Sequence, residues 1–259
     1  MTNSTEVATI GGDVVAFEAA IPSAELQKQL AKEMEGLRMP PPPRIKVPSG
    51  GALVFEVPTD DPEQPESVRE LKAVILAHHA VNRYYERGLD ENGGESNPPD
   101  CMSFNGREGM NRHTGEIRAC ETCPLNKFGS GRGGVGKACS NRHRLYLLLE
   151  NEPLPYILEV PPTSLTGMTN YLVNLIYRRK AASSGAVTRL TLKKAENKGG
   201  VKYSEVQFAF AGRLDPEIAR ATAAMGAEIE RRLAEYAGTE AMQGDPDFVP
   251  ADDEASEAY

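Results

Sequence analysis

The stretch that most constrains the fold is residues 120–139, CETCPLNKFGSGRGGVGKAC, which places three cysteines around a glycine-rich loop. A fourth cysteine lies upstream at Cys101, so the spacing is C-x18-C-x2-C-x15-C. Residues 88–136 hold few periodic hydrophobic side chains, and so long an irregular stretch inside a compact domain needs an internal clamp. Four thiolates can close a tetrahedral metal site. The sequence therefore predicts a metal site with the ligands Cys101, Cys120, Cys123 and Cys139.

Zinc is the ion that we predict for this site, and an iron–sulfur cluster is the alternative because it also accepts four cysteines. Since all four ligands come from the protein, no position is left for a substrate, and the metal is expected to be structural. His113 or His143 could replace one of the outer thiols. Plain buried thiols or disulfides are the third interpretation, although disulfides are rare in a reducing compartment.

The charge of the chain is unevenly distributed. The net charge is −8, but residues 239–259 contain seven acidic side chains and no Lys or Arg, so the other 238 residues carry only −1. Residues 101–213 contain 17 Lys or Arg but only 8 Glu and no Asp. A basic central region followed by an acidic C-terminal segment is typical of a protein that binds a polyanion.

The N-terminus and the hydropathy predict a cytoplasmic protein. The first residues, MTNSTEVATIGGD, lack the basic and then apolar layout of a signal peptide. No run approaches the ~20 apolar residues of a membrane-spanning helix, so we expect no membrane partner.

Hydrophobic patterning predicts an α+β protein. Ser23 suits the N-cap of a helix that extends to about Leu37, and the MPPPPR run at 39–44 predicts an extended linker. Residues 67–87 fit a helix or a long strand, and we favour the strand. The other predicted strands are 51–57, 144–149, 155–160, 186–193 and 203–210, and the other predicted helices are 164–179 and 215–236.

The order of these elements matches an OB-type barrel, with another small β-barrel as the alternative. We therefore predict a mostly antiparallel OB-like β-barrel with a four-cysteine metal knuckle and flanking helices. The predicted domains are an N-terminal arm with a Pro-rich linker (1–44), an OB-like core (45–213) that includes a zinc subdomain (98–142), a C-terminal helix (214–238) and an acidic disordered tail (239–259).

The loop between Cys123 and Cys139 combines cations, one aromatic side chain and accessible backbone N–H groups, which suits phosphates and an unstacked base. It is not a P-loop, because no Ser or Thr follows its Gly-Lys. On the last strand Tyr203 is out of phase with Phe208 and Phe210, so we expect Tyr203 to be accessible and the phenylalanines to be in the core. The predicted nucleic-acid-binding residues are Lys127, Phe128, Arg132, Lys137, Arg142, Arg144, Lys193, Lys194, Lys198, Lys202, Tyr203, Tyr84 and Tyr85.

Catalytic signatures are weak in this sequence. Asp100 and the Glu196-Asn-Lys198 triplet are similar to the carboxylates and lysine of metal-dependent nucleases, but almost a hundred residues separate them. No convincing Ser/His/Asp or Cys/His set is present among four histidines. We therefore expect a protein that is not an enzyme, with a metal-dependent nuclease as the third-ranked function.

Several segments resemble a poorly characterised family of proteins encoded by tailed phages and integrative elements. They are NPPDC, CETCPLNKFGS, GKACSNRHRLYLL, PPTSL and KKAENKGGVKYSEVQFAF, within residues 45–212. In organisation the chain is also similar to the zinc-containing, helix-destabilising single-stranded DNA-binding proteins of phages, although its all-cysteine ligand set differs from theirs. The resemblance implies a bacterial host cell and a role in DNA replication or recombination.

The predicted function is single-stranded DNA binding without sequence preference, in phage-type replication or recombination. The acidic tail would recruit replication or recombination proteins, as in replication-type single-strand binders. The predicted partner-binding residues are Phe248, Asp252, Asp253, Glu254 and Tyr259. The alternative is a zinc-stabilised protein-interaction adaptor that acts on host transcription or replication machinery.

Overall fold

The computed structural model describes residues 14–37, 40–48, 50–61, 63–86, 98–197 and 200–235. Its α-helices are α1 (Ala24–Glu33), α2 (Leu165–Tyr177) and α3 (Pro216–Glu235). Its strands are β1 (Arg44–Ile45), β2 (Phe55–Val57), β3 (Glu66–Val68), β4 (Glu70–Tyr84), β5 (Cys101–Ser103), β6 (Glu108–Asn111), β7 (Ile117–Ala119), β8 (Ser140–Leu149), β9 (Tyr156–Val160), β10 (Ala186–Glu196) and β11 (Lys202–Arg213).

Strand β4 organises the main sheet. One of its edges pairs with β8 along almost its whole length. The other edge pairs with β10 at the beginning of the strand and with β5 at its end. Beyond these neighbours lie β9 and β1 on one side, β11 next to β10, and β6 and β7 next to β5, while β2 and β3 form a separate pair. The two ends of β4 therefore carry different parts of the protein.

The strand interpretation of residues 67–87 is confirmed, and its ambiguity has a physical cause. Residues Ala73–Ala77 of β4 are all buried, because helices cover both faces of the sheet there. A strand that is buried on both faces loses the alternation of polar and apolar residues that identifies a strand.

The mostly antiparallel α+β class is confirmed, but the expected closure into a barrel is wrong. The sheet is open, and within the described residues its outer strands β1, β7 and β11 do not pair with one another. Helix α2 packs on one face through Met168, Tyr171 and Leu175. Helix α3 covers the other face through Met225, Ile229 and their neighbours. Because helices bury both faces, the sheet has no need to curl on itself.

The helix expected after Ser23 is confirmed as α1, which ends at Glu33. The Ser23 hydroxyl accepts a hydrogen bond from the backbone N–H of Leu26 at 3.2 Å. An apolar stripe in and just after α1, formed by Leu26, Leu30 and Leu37, is exposed. No helix among the described residues combines the length and the apolar character needed to cross a bilayer.

Candidate metal centre and nucleic-acid interface

All four cysteines line one small cavity of about 60 Å³ at the end of β4. Cys101 begins β5, and Cys120 follows β7 directly. Cys123 precedes a short 3₁₀ turn, and Cys139 precedes β8. Residues that are far apart in sequence thus meet because β5, β6 and β7 extend the sheet beside the last residues of β4. We call this space the thiol cavity.

Gly109 shows how closely the sulfurs approach the backbone in the thiol cavity. A β-carbon at this position would lie 3.2 Å from Cys101 Sγ and 3.5 Å from Cys120 Sγ. A side chain on residue 109 would therefore press on the Cys101 thiol and contact the Cys120 thiol. Glycine at this point of β6 leaves room for the sulfur cluster.

The thiols lie close enough together for each to affect the pKa of its neighbours. Burial raises the pKa of Cys101 to about 11, and the neighbouring charges of Cys120 and Cys123 raise it further. Burial likewise raises the pKa of Cys139 to about 12, with Cys120 as its strongest charged neighbour. Four thiolates could share this space only with a cation among them, because their mutual repulsion disfavours deprotonation.

The donor set of the thiol cavity suits a soft metal, since thiolates select zinc and iron–sulfur clusters. Within the described residues, however, no three His, Cys, Asp or Glu side chains already stand in a metal-binding arrangement. Neither histidine that could replace a thiol lines the cavity: His113 Nε2 lies 2.8 Å from Asp100, and His143 Nε2 lies 2.8 Å from His78 Nδ1. A metal held by the four cysteines is therefore a proposal.

The glycine-rich loop, residues 124–138, is folded by its own hydrogen bonds. The backbone N–H of Cys139 donates to the Leu125 carbonyl at 2.9 Å. The Ser130 hydroxyl donates to the same carbonyl at 2.8 Å and accepts from the Ala138 N–H at 3.0 Å. Gly131 allows the close turn, because a β-carbon there would lie 2.1 Å from the Val135 carbonyl oxygen.

This folded loop presents an aromatic ring and cations to solvent. Phe128 is 83% exposed, and Lys137 Nζ lies 5.5 Å from its ring centroid. Lys137 is half-buried, and its ammonium also donates to Asn126 Oδ1 at 3.2 Å and to Asn141 Oδ1 at 2.8 Å. Lys127 and Arg132 are exposed as well. Tyr84 lines the thiol cavity and lies close enough to Arg132 for that cation to oppose the rise in the tyrosine pKa that burial causes. The fold therefore brings Tyr84 near Arg132 of the loop.

Two other predicted residues near the cysteines differ in accessibility. Arg142 is half-buried, and its Nε donates to Ser140 Oγ at 3.3 Å. Arg144 is only 3% exposed and donates to the Glu159 carboxylate at 2.7 Å. The Arg144 guanidinium thus faces the protein interior rather than a ligand in solvent. Tyr85, next to Tyr84, is partly exposed.

The other predicted basic group lies at the opposite end of the sheet. Thr191 of β10 pairs with Glu70 at the start of β4, whereas Cys101 pairs with Tyr84 at its end. At ~3.3 Å per residue, these points are about 45 Å apart along the strand. The second group consists of Lys193, Lys194, Lys202 and the half-buried Tyr203. The sequence prediction of one binding surface therefore corresponds to two separate regions.

Phe208 and Phe210, which we expect in the core, are only partly buried: they pack against the α2 side of the core and also line a groove. Lys198 lies outside the described residues, as do the predicted partner-binding residues Phe248, Asp252, Asp253, Glu254 and Tyr259.

The geometry does not assemble the nuclease-like carboxylates. The Asp100 N–H donates to the Tyr84 carbonyl at 2.9 Å, which places Asp100 at the end of β4. Glu196 pairs with Lys202 at the far end of β10. These two carboxylates lie on opposite sides of the molecule, so they cannot hold one metal ion.

Sequence reasoning missed two features. One is the convergence of Arg44, Arg83 and Arg144 on Glu159. The other is a groove between α2 and β11. Both depend on strand register and helix placement, for which a single sequence gives little signal.

Comparison with known proteins found no counterpart. No protein-family model matches the chain, and no curated protein and no solved structure matches it.

Proposed function

We propose that the protein binds single-stranded DNA without sequence preference, through the glycine-rich loop, in phage-type replication or recombination within a bacterial host cell. The observation that carries this proposal is the exposure of Phe128 beside Lys137. An aromatic ring left in water forgoes about 1.5–3 kcal/mol of burial. Stacking of one base on such a ring contributes about 1–3 kcal/mol, and every base offers a face for stacking.

The charge of the loop supports a phosphate ligand. Residues 124–138 contain Lys127, Arg132 and Lys137 and no Asp or Glu. Glycines at 129, 133, 134 and 136 adopt positive φ, which allows the tight turns of the loop. The N–H groups of Gly129 and Gly134 donate to the carbonyls of Gly136 and Gly131, so the cations are the groups that the loop offers to phosphate. Cations around a stacking ring give affinity that is independent of base sequence.

As part of this proposal, Cys101, Cys120, Cys123 and Cys139 hold a structural zinc ion. When bound, zinc supplies the positive charge that allows four thiolates to lie together. The cysteines would then fix both ends of the glycine-rich loop, since Cys123 and Cys139 flank it directly. The acidic residues 239–259 are proposed to recruit replication or recombination proteins.

The test is fluorescence anisotropy of labelled oligo-dT with the full chain at low and high salt. We expect Phe128→Leu to weaken binding about ten-fold, because leucine keeps the apolar bulk but removes the stacking face. Phe128→Trp should restore the affinity. The matched control is Val135→Ala, because Val135 is 78% exposed on the same loop and has no ring to stack.

The outcomes separate the candidate functions. Absence of binding, or equal affinities for Phe128→Leu and Val135→Ala, would contradict the proposal. The exposed apolar stripe Leu26, Leu30 and Leu37 favours the adaptor as the second candidate. Capture of a replication or transcription protein that resists salt and requires Leu30, without DNA binding, would support the adaptor instead.

A further inference from the structure

A groove of about 380 Å³ runs between α2 and β11, away from the glycine-rich loop. Helix α2 contributes polar side chains and strand β11 contributes aromatic ones. None of the described residues that line it is Asp or Glu.

The aromatic side of the groove is arranged as a platform. Phe208 and Phe210 lie two residues apart on β11, so their side chains leave the same face of the strand. The Arg179 guanidinium lies 4.8 Å from the Phe210 ring centroid, and Phe208 stacks on Tyr171 with centroids 5.8 Å apart. A flat ligand could stack beside the Arg179 and Phe210 pair, because guanidinium and phenyl planes both accept a planar base.

The polar side of the groove follows one face of the helix. Asn170 and Asn174 of α2 and Arg178, which caps the C-terminal end of the helix, are spaced four residues apart, so they form a row along it. All three are exposed. Each asparagine offers a donor and an acceptor, which suits the edge of a base. Arg178 forms no ion pair with another described residue, so its charge is available to an anion.

We propose that this groove binds one nucleotide unit of the single-stranded nucleic acid. The base lies beside Phe210 and Arg179, Asn170 and Asn174 contact its edge, and Arg178 binds the phosphate. An acidic peptide would satisfy the arginines but would leave the aromatic platform without a flat partner. This inference rests on the proposed function.

The position of the groove gives this site a distinct consequence. Phe210 pairs with Thr188, and Thr188 pairs with Ala73 near the start of β4. The thiol cavity lies at the end of the same strand, about 35 Å away at ~3.3 Å per residue. A long oligonucleotide can engage both sites and gain from the raised local concentration, whereas a short one reaches a single site.

The test compares Arg178→Gln and the double variant Arg178→Gln/Arg179→Gln with Arg220→Gln, an exposed arginine on α3 across the sheet. With oligo-dT of about 16 nucleotides, we expect the double variant to lose about ten-fold in affinity, and with about 4 nucleotides it should lose little. The Arg220 control should bind as the parent does. Photocrosslinking of an oligonucleotide that carries 5-iodouracil, followed by peptide mapping, should label Phe208 or Phe210.

Each alternative outcome overturns the groove assignment in a recognisable way. If Phe128→Leu weakens binding but the groove variants match Arg220→Gln, the groove is not a subsite and the proposed function stands. If the parent chain binds no oligonucleotide at all, both proposals fail. If polyglutamate competes at the groove as well as oligo-dT does, the occupant is an acidic peptide and the nucleotide assignment is wrong.

Discussion

At Glu159, three arginines from three strands share a single carboxylate oxygen. Oε1 accepts from Arg83 at 2.6 Å, from Arg144 at 2.7 Å and from Arg44 at 3.3 Å. Burial would raise the pKa of this carboxyl, but the three guanidiniums lower it overall. The carboxylate thus fixes β1, β4 and β8 to β9 through charge rather than through apolar contact.

Glu159→Gln should destabilise the protein by about 3–5 kcal/mol, because it leaves buried guanidiniums without their counter-charge. Urea unfolding followed by circular dichroism measures this loss. Glu33→Gln, an exposed change on α1, is the control and should be nearly neutral. Equal unfolding midpoints for the two variants would contradict the role of Glu159.

A histidine pair on adjacent strands predicts a pH dependence. Burial lowers the pKa of His143 to about 4, with further lowering by His78 and His79. Burial also lowers the pKa of His78, against the opposing charge of Glu230. Because the unfolded chain accepts protons near pH 6.5 and the folded chain does not, stability should fall as the pH drops from 6.5 to 4.

For His143 we expect a loss of about 1 kcal/mol across this window, since partial exposure screens the effect. His143→Gln should flatten the dependence of the urea midpoint on pH between 6.5 and 4. The pKa of Glu159 is lowered, so this carboxyl also titrates in the acid range, but it does so equally in both proteins. The difference between the urea midpoints of parent and variant at each pH therefore isolates the contribution of His143. A parent and variant with the same slope would rule out His143 as the source.

At the scale of elements, helix α3 packs closely against strand β4 at a single glycine, Gly226. Strand β4 has a register shift between Ile75 and Ala77. Gly226 of α3 packs there, and a β-carbon on it would lie 2.3 Å from the Leu76 carbonyl oxygen. The bulge and the glycine therefore set how closely the helix approaches the sheet.

Gly226→Ala should destabilise the protein by about 1–3 kcal/mol. The higher helix propensity of alanine would stabilise α3 by at most ~1 kcal/mol. The clash of its β-carbon with the Leu76 carbonyl outweighs this gain because it forces α3 away from β4. Thermal and urea unfolding measure the net change. The control is Gly167→Ala in α2, where the nearest atom to a β-carbon is 3.9 Å away. A Gly226→Ala variant as stable as this control would show that α3 does not pack closely against β4.

At the scale of the whole molecule, the cysteine region is built separately from the main cores. It has its own small cluster of Val81, Met102 and Met110. The two larger clusters lie under α2 and α3 on the two faces of the sheet. The cysteine region should therefore be able to lose order while the central strands remain folded.

Removal of the proposed zinc tests this separation. We expect about one zinc per purified chain, and we expect a chelator to raise hydrogen exchange across residues 101–139 while β8 and β10 stay protected. Cys120→Ser should give the same pattern without a chelator. Purified protein without zinc or iron, or exchange that a chelator does not change, would contradict a structural metal.

Much of the local structure could be predicted from the sequence by itself, because it depends on neighbouring residues. The cap at Ser23, the strict alternation in β10 and β11, and the Asp215-Pro-Glu start of α3 all act within a few residues. The sequence likewise determined the spacing of the four cysteines and the cationic composition of the loop.

Only the tertiary structure decided which of these residues meet. Burial of both faces of β4 left the sheet open instead of closed, because its apolar surface is covered by helices. Strand register placed Arg144 on buried Glu159 and put the loop cations and the hairpin lysines at opposite ends of β4. Charge and aromaticity are properties of single residues, but a binding surface is a property of packing, and packing depends on contacts between residues that are far apart in the chain.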